Sequence, residues 1–343
     1  MVRNVFYSLL ILSVLPSLIL SQDDVFFTLS HVKARPLAMG GAYTSIDDDL
    51  AAVNFNPAAY FLKEREQEKK VTFFLNPVSP IVGGAKNQDM FRGSGSQIDD
   101  FFMSLSLLLK SVSVSIDPFQ FGVLLGEQNL NLPETFQVGD FFTTQGYRQN
   151  HTHSIVGRLK LADRVSLGGA ANFSVGSKLN APFERHTDLG VSYGILLKPE
   201  EGLNIGVSFY NIPDTLKQSR FPLERIIDES VNIGISYRLF DDNTRFSVDL
   251  RNLGEEQEEV VREFHFGVEQ VFLSQVALRA GYFRKDEGED VFSWGVGLLN
   301  GASLFQKEVD ENYSNYYLNY AFVYEKSSLT DRRWHFLTFV IRM

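Results

Sequence analysis

The sequence has no cysteine among its 343 residues. That absence excludes structural disulfides, cysteine-ligated metals and lipid attachment through a thiol. Beyond residue 20 there is no apolar run of the roughly 20 residues that a helix needs to cross a bilayer. A basic excess is missing as well: 32 Lys and Arg face 42 Asp and Glu, for a net charge of −10. Nucleic acid, which requires clustered cationic side chains, is therefore not an expected partner. No Ser-His-Asp order, glycine-rich phosphate loop or zinc-ligand spacing stands out, so the reading is of a protein that is not an enzyme and takes no cofactor.

What is present is aromatic and alternating. The chain carries 30 Phe, 13 Tyr and 26 Gly at a mean hydropathy of −0.09. Membrane barrels reconcile a heavy aromatic load with low average hydropathy, because only alternate residues of each strand meet lipid. The alternation is explicit: Leu203, Ile205, Val207 and Phe209 interleave with Asn204, Gly206 and Ser208. Val231, Ile233, Ile235 and Tyr237 interleave with Asn232, Gly234 and Ser236. Such segments run for about ten residues, the length of a tilted membrane strand rather than of a soluble sandwich. Reading them along the chain predicts about 14 strands from residue 71 to 343, with very short links alternating with longer ones. One short link is expected at Lys110. The last strand carries an apolar row of Leu337, Phe339, Ile341 and Met343.

The N-terminus divides into two stretches of different character. Residues 1–21 read as a secretory signal peptide, with Arg3 as the positive start, an apolar region from Val5 to Leu20, and Ser21 before Gln22. Residues 22–69 do not alternate. Gly40-Gly41 permits a tight turn or positive φ, and Asp47, Asp48 and Asp49 precede Leu50-Ala51-Ala52-Val53, where they suit a helix N-cap and first turn. That helix should stop near Phe55, since the residue before Pro57 is driven out of the α region. The expected organisation is a signal peptide at 1–21, a compact plug at 22–69 and an antiparallel transmembrane β-barrel at 70–343.

The same stretch carries a family resemblance. Ala34, Arg35, Leu37, Met39, Gly40, Gly41 and Ala42, then Asp47 and Asp48, then Asn56, Pro57 and Ala58, resemble the N-terminal hatch of FadL-like outer-membrane proteins, within them the PorV/PorQ type. The resemblance implies an all-β barrel closed by a hatch, in the outer membrane of a Gram-negative-type (diderm) bacterium. It implies that Arg35, Met39, Gly40, Gly41, Asp47, Asp48, Asn56, Pro57 and Ala58 lie in the hatch, beside any ligand.

Other chemistry is weaker. His151 and His153 share one face of a strand, and a solvated pair is favoured over a metal site. Helix capping by the aspartate triplet is favoured over calcium, whose spaced ligands and turn glycine are absent. On the lumen side, Arg158, Lys160, Arg238, Asp249, Arg251, Glu263, Glu269 and Arg279 read as a mutually paired network. The alternative is that they hold the plug, with Arg35 and the plug's acidic residues as partners.

Two functions follow from the resemblance. The leading one is a PorV/PorQ-like component or shuttle of a protein secretion system, gripping a protein partner through its outer loops. Its anchors would be Phe91 in 77–98, and Phe136, Phe141, Phe142 and Tyr147 in or beside 127–146. The alternative is a FadL-like channel for passive uptake of hydrophobic small molecules such as fatty acids.

Overall fold

The computed structural model describes residues 24–27, 34–47, 50–60, 71–77, 105–106, 108–128, 151–178, 181–211, 230–239, 243–253, 262–273, 275–284, 290–299, 315–326 and 332–343. Four residues, Asp24–Phe27, form a first short strand, β1. A five-residue helix, α1, follows at Ala34–Ala38, and 3-10 turns lie at Ala51–Asn54 and Pro57–Ala59. The strands then run β2 (Val71–Leu75), β3 (Leu109–Ile116), β4 (Phe119–Gln128), β5 (His151–Ala162), β6 (Val165–Lys178), β7 (Ala181–Glu200) and β8 (Leu203–Asn211). They continue as β9 (Ser230–Leu239), β10 (Thr244–Arg251), β11 (Glu263–Phe272), β12 (Val276–Arg284), β13 (Asp290–Leu298), β14 (Asn315–Glu325) and β15 (Arg332–Arg342).

Strands β2 to β15 pair in sequence order, each antiparallel to the next, and β15 returns to β2. Setting β1 aside from the 15 strands of the sheet leaves a closed ring of 14. The closing seam is short: Ile341 pairs with Leu75 and Arg342 with Phe74, supplemented by a reciprocal amide–carbonyl pair between Phe73 and Met343. Further along the same edge, β15 pairs with β1 in parallel, Asp24 opposite Trp334 and Phe27 opposite Leu337.

Period-two alternation sets the two faces of this wall. Outward positions carry exposed apolar side chains, including Phe121, Ile155, Leu189, Tyr193, Ile235 and Phe292. Inward positions are polar and buried, among them Ser154, Ser192, Asn204, Asn232, Asp249 and Arg279. An apolar exterior around a polar interior is the construction of a barrel that spans a membrane. No described helix is long and apolar enough to cross one.

The strand register departs from the sequence reading in one place. Lys110 is not a turn; it lies fully buried inside β3. The turn falls instead at Asp117-Pro118, joined by a cis peptide bond. The run of Leu107, Leu108 and Leu109 before a lone cation imitates a strand end, whereas Asp-Pro supplies the turn chemistry. The links at Asp163-Arg164, Glu201-Gly202 and Leu273 to Gln275 lie within a residue or two of their expected positions.

Candidate functional site

Residues 34–47 and 50–60 rest against the inner wall. Their path starts with α1, whose Ala34, Pro36, Leu37 and Ala38 are buried. Gly40 and Gly41 then turn the chain with φ of 60° and 76°, as the sequence predicts. Asp47 does not cap a helix. The short 3-10 turn that follows begins at Leu50 with no side-chain cap, because Asp47 is engaged elsewhere. Asp48 and Asp49 lie outside the described residues. Asn56 is extended, as a residue before proline should be, and its side chain accepts a hydrogen bond from Ala58 N at 3.0 Å.

The first half of the segment is fixed to β8 through β13 by polar contacts. Arg35 makes a two-pronged ion pair with Glu269, at 2.7 and 2.9 Å, and Arg279 Nε reaches the same carboxylate at 2.6 Å. The Gly40 amide donates to Ser293 Oγ at 3.0 Å, and His265 Nδ1 lies 2.6 Å from the Gly40 carbonyl. Arg251 donates to the Gly41 carbonyl. Asp249 Oδ2 accepts from Tyr43 N, Thr44 N and Thr44 Oγ1 at 2.7 to 2.8 Å. The Ser45 carbonyl accepts from Asn204 Nδ2 at 3.1 Å.

Asp47 is the outgoing counterpart of these inward anchors. Its carboxylate lies 3.0 Å from Lys198 Nζ and 3.9 Å from Arg245. Burial pushes this carboxyl up, but Arg245 and Lys198 outweigh the effect and hold it below the ordinary carboxylate range.

The second half, Asn56 to Tyr60, meets β3 through β7. Asn56 Nδ2 donates both inward, to Thr44 O at 3.0 Å, and outward, to Ile195 O at 3.1 Å. The Ala58 carbonyl accepts from Arg158 Nε at 3.1 Å and Ser166 Oγ at 2.9 Å. Tyr60 donates its hydroxyl to Ser113 at 2.5 Å. Below this half a polar cavity of about 260 Å³ opens at the short-turn end, lined by Ser115, Asp117, Gln120, Arg158, Lys160, Asp163 and Lys198 among others.

The lumen charges thus do both things the sequence left open. Glu269–Arg279 and Asp249–Arg251 are wall-to-wall neighbours, and both pairs also bind the 34–60 segment. Arg35, Gly40, Gly41, Asp47, Asn56 and Ala58 all have wall partners, and Met39 and Pro57 pack where glycines leave room.

Those glycines went unread as a signal. A Cβ at Gly168 would overlap Ala58 N and Pro57 C, and one at Gly281 would overlap Gly40 N. Gly194 faces Asn56, Gly206 and Gly234 face Thr44, Gly267 faces Met39 and Gly295 faces Ala38. All occupy inward positions of their strands, so the row of missing side chains traces the path of the segment. In the sequence they look like strand interiors that let backbones curve; their shared inward parity was the available clue.

The apolar contacts lie to the other side. Met39, Tyr43, Ile46, Leu50, Val53 and Tyr60 cluster with Phe74, Leu124, Val156, Ala170 and Val340 of β2, β4, β5, β6 and β15. The ion pairs of the segment thus lie towards β7, β10 and β11 and its apolar cluster towards the arc that contains the seam, where Ala58 and Tyr60 also hydrogen-bond to β3, β5 and β6.

His151 and His153 stand edge to face, 4.9 Å between ring centroids, with His153 Nδ1 accepting from Gly126 N at 3.1 Å. No cluster of three metal-binding side chains occurs among the described residues. Phe91, Phe136, Phe141, Phe142 and Tyr147 lie outside the described residues.

No protein-family model matches this chain, and no curated protein does. Among solved structures it is similar to the Ralstonia pickettii toluene transporter TbuX, with a TM-score of 0.48, 10% identity, and coverage of 94% of this chain and 98% of that one. It is similar also to the Pseudomonas putida toluene transporter TodX, with a TM-score of 0.48, 11% identity and coverage of 92% and 97%. A third is the monoaromatic hydrocarbon channel CymD, with a TM-score of 0.47, 10% identity and coverage of 92% and 98%. At such identities the function has to be argued from the residues of this chain.

Proposed function

We propose that this protein is an outer-membrane channel for passive passage of hydrophobic small molecules, closed at rest by residues 34–60 acting as a plug. The observation that carries this reading is the two-sidedness of the plug. Its ion pairs reach Lys198, Arg245 and Glu269 of β7, β10 and β11, while its apolar cluster faces β2, β4, β5, β6 and β15, an arc where the polar contacts are hydrogen bonds of Ala58 and Tyr60. A hydrated solute passing on the polar side must break buried charge pairs, at a cost of several kcal/mol each (about 3–5). Passage on the apolar side breaks no ion pair, costs at most the hydrogen bonds of Ala58 and Tyr60, and offers a hydrophobic solute the apolar cluster. That side also holds the weakest part of the wall, where five-residue β2 meets β15 through two paired residues. Barrels of this kind place short turns in the periplasm and longer loops outside, so the passage would run from the long-loop end past the plug.

The secretion reading rests on loops 77–98 and 127–146. Apart from Pro77, Glu127 and Gln128, these lie outside the described residues, and no structural observation favours it.

Proteoliposomes test the proposal. The wild-type protein should accelerate entry of a labelled fatty acid or alkylbenzene and leave liposome swelling in a small sugar unchanged. Sugar permeation without hydrophobic uptake would overturn the reading, as would stoichiometric recovery of a secretion partner from a protein with no uptake.

A further inference from the structure

The first strand stands outside the ring that β2 to β15 close. β1 is the one parallel member of the described sheet, it has four residues, and β15 is its single strand partner among the described residues. It lies where β2 gives out. Phe74 and Leu75 of β2 meet β15 at Arg342 and Ile341, whereas Asp24–Phe27 runs beside Trp334, His335, Phe336 and Leu337. β15 descends from the long-loop end, so β1, parallel to it, enters the wall from that end as well. A short segment laid along a sheet edge is the arrangement by which sheets bind extended peptides, with main-chain hydrogen bonds giving the affinity. Four residues on one edge are a small hold, and parallel pairing is slightly weaker per residue than antiparallel.

The outer face beside this edge carries an independent feature. Trp294 is exposed on the lipid side, and the register carries that side across to Phe322 and then to His335, the residue opposite Val25. His335 therefore faces outward, yet only 3% of it is exposed. Its ring lies 5.0 Å from that of Phe322, and its Nδ1 is 2.7 Å from the Tyr320 hydroxyl. The Tyr320 ring in turn lies 5.5 Å from Trp294. A histidine on the lipid side is costly and ordinarily marks function. Hydrogen-bonding side chains on such surfaces join one membrane-spanning segment to another.

We propose that the β15 edge at 334–337 is a strand-docking site through which two copies of this chain associate, each laying its β1 on the other's β15. Asp24–Phe27 already fits this edge in register, so the same strand from a second copy fits it equally. Exchange of an identical element replaces one set of hydrogen bonds by the same set, which makes it a low-cost route to a dimer. In a two-fold arrangement the two seams face each other. The aromatic patch with His335 and Tyr320 then meets its own counterpart instead of lipid. This association is independent of what the barrel conducts.

Because the chain has no cysteine, engineered pairs report the register directly. One copy carries Phe27→Cys and a second, differently tagged, carries Leu337→Cys; the two are co-expressed and oxidised in membrane vesicles. Phe27 and Leu337 are register partners, so a disulfide-linked heterodimer should form. Asp24→Cys against the same Leu337→Cys is displaced by three residues, roughly 10 Å, and should lose the link. Deleting 24–27 from the copy that carries Leu337→Cys vacates its edge and should raise the heterodimer yield. His335→Ala combined with Tyr320→Phe in both copies should lower it. Heat-modifiable migration verifies that every barrel is folded. Absence of the in-register heterodimer between the two undeleted copies overturns the proposal. So does equal linkage by the displaced pair, or a yield left unchanged by the deletion or by the patch variant.

Discussion

Thr44 gives Asp249 two hydrogen bonds at once, one from its amide at 2.8 Å and one from its hydroxyl at 2.7 Å. Both end on the Oδ2 atom that also accepts the Tyr43 amide at 2.8 Å. One barrel carboxylate thus satisfies two backbone donors of a segment with no sheet of its own, which is why an acidic group stands in the wall at this height.

Asp249→Ala should therefore unfasten the plug while sparing the barrel. Two buried N–H groups lose their acceptor, a penalty of about 1–3 kcal/mol each. The expected result is a conductance clearly above wild type in planar bilayers, with heat-modifiable migration retained. Asp249→Asn keeps an acceptor oxygen and should fall between the two.

Gly168 and Gly169 make a paired test of close approach. A Cβ at Gly168 would strike the backbone of Pro57 and Ala58, which has little room to yield, whereas one at Gly169 meets Ser192 O at an ordinary 3.8 Å. Gly168→Ala should displace the second half of the plug and raise solute leakage. Gly169→Ala should behave as wild type in both leakage and thermal migration.

The strand pattern was legible because burial on one face forces period two, and 14 strands in the expected order follow from it. The turn at Asp117-Pro118 was missed because an apolar run beside Lys110 outweighed the Asp-Pro signal. The turn at Gly40 and Gly41 was readable, since positive φ leaves few other residues. Asp47 was not: its partner Lys198 lies 151 positions away, and a local reading can see only the helix that the aspartate precedes. The same holds for Asn56, whose contacts to Thr44 and Ile195 come from topology that a sequence window does not contain.

The Asp47 latch should depend on pH in one direction. Its carboxyl is held below the ordinary aspartate value of 3.8. A depressed native value means a contribution that is complete above the ordinary range and fades only as pH falls through the native value. Leakage through the wild-type protein should thus be flat from pH 8 to pH 5 as far as this latch is concerned. Asp47→Asn should leak more across that whole window, with the excess over wild type shrinking only in strong acid. An Asp47→Asn excess that disappears already near neutral pH contradicts the assignment.

Asn56→Ala should loosen the plug more than Pro57→Ala. The former removes the hydrogen bonds to Thr44 O, Ile195 O and Ala58 N together, each worth about 0.5–1.5 kcal/mol. The latter removes a preset φ, which shifts stability by about 0.4–1 kcal/mol. Protease accessibility of residues 34–60 in the detergent-purified protein orders the two variants.

The central claim, that residues 34–60 close a 14-strand barrel, is tested most directly by single-channel recording of the wild type beside a deletion of 34–60. Both proteins must show sheet-dominated circular dichroism and heat-modifiable migration before they are compared. The account predicts that the wild type shows no sustained ionic conductance, while the deletion opens stable, ohmic steps. Sustained conductance of equal size in both proteins would contradict it.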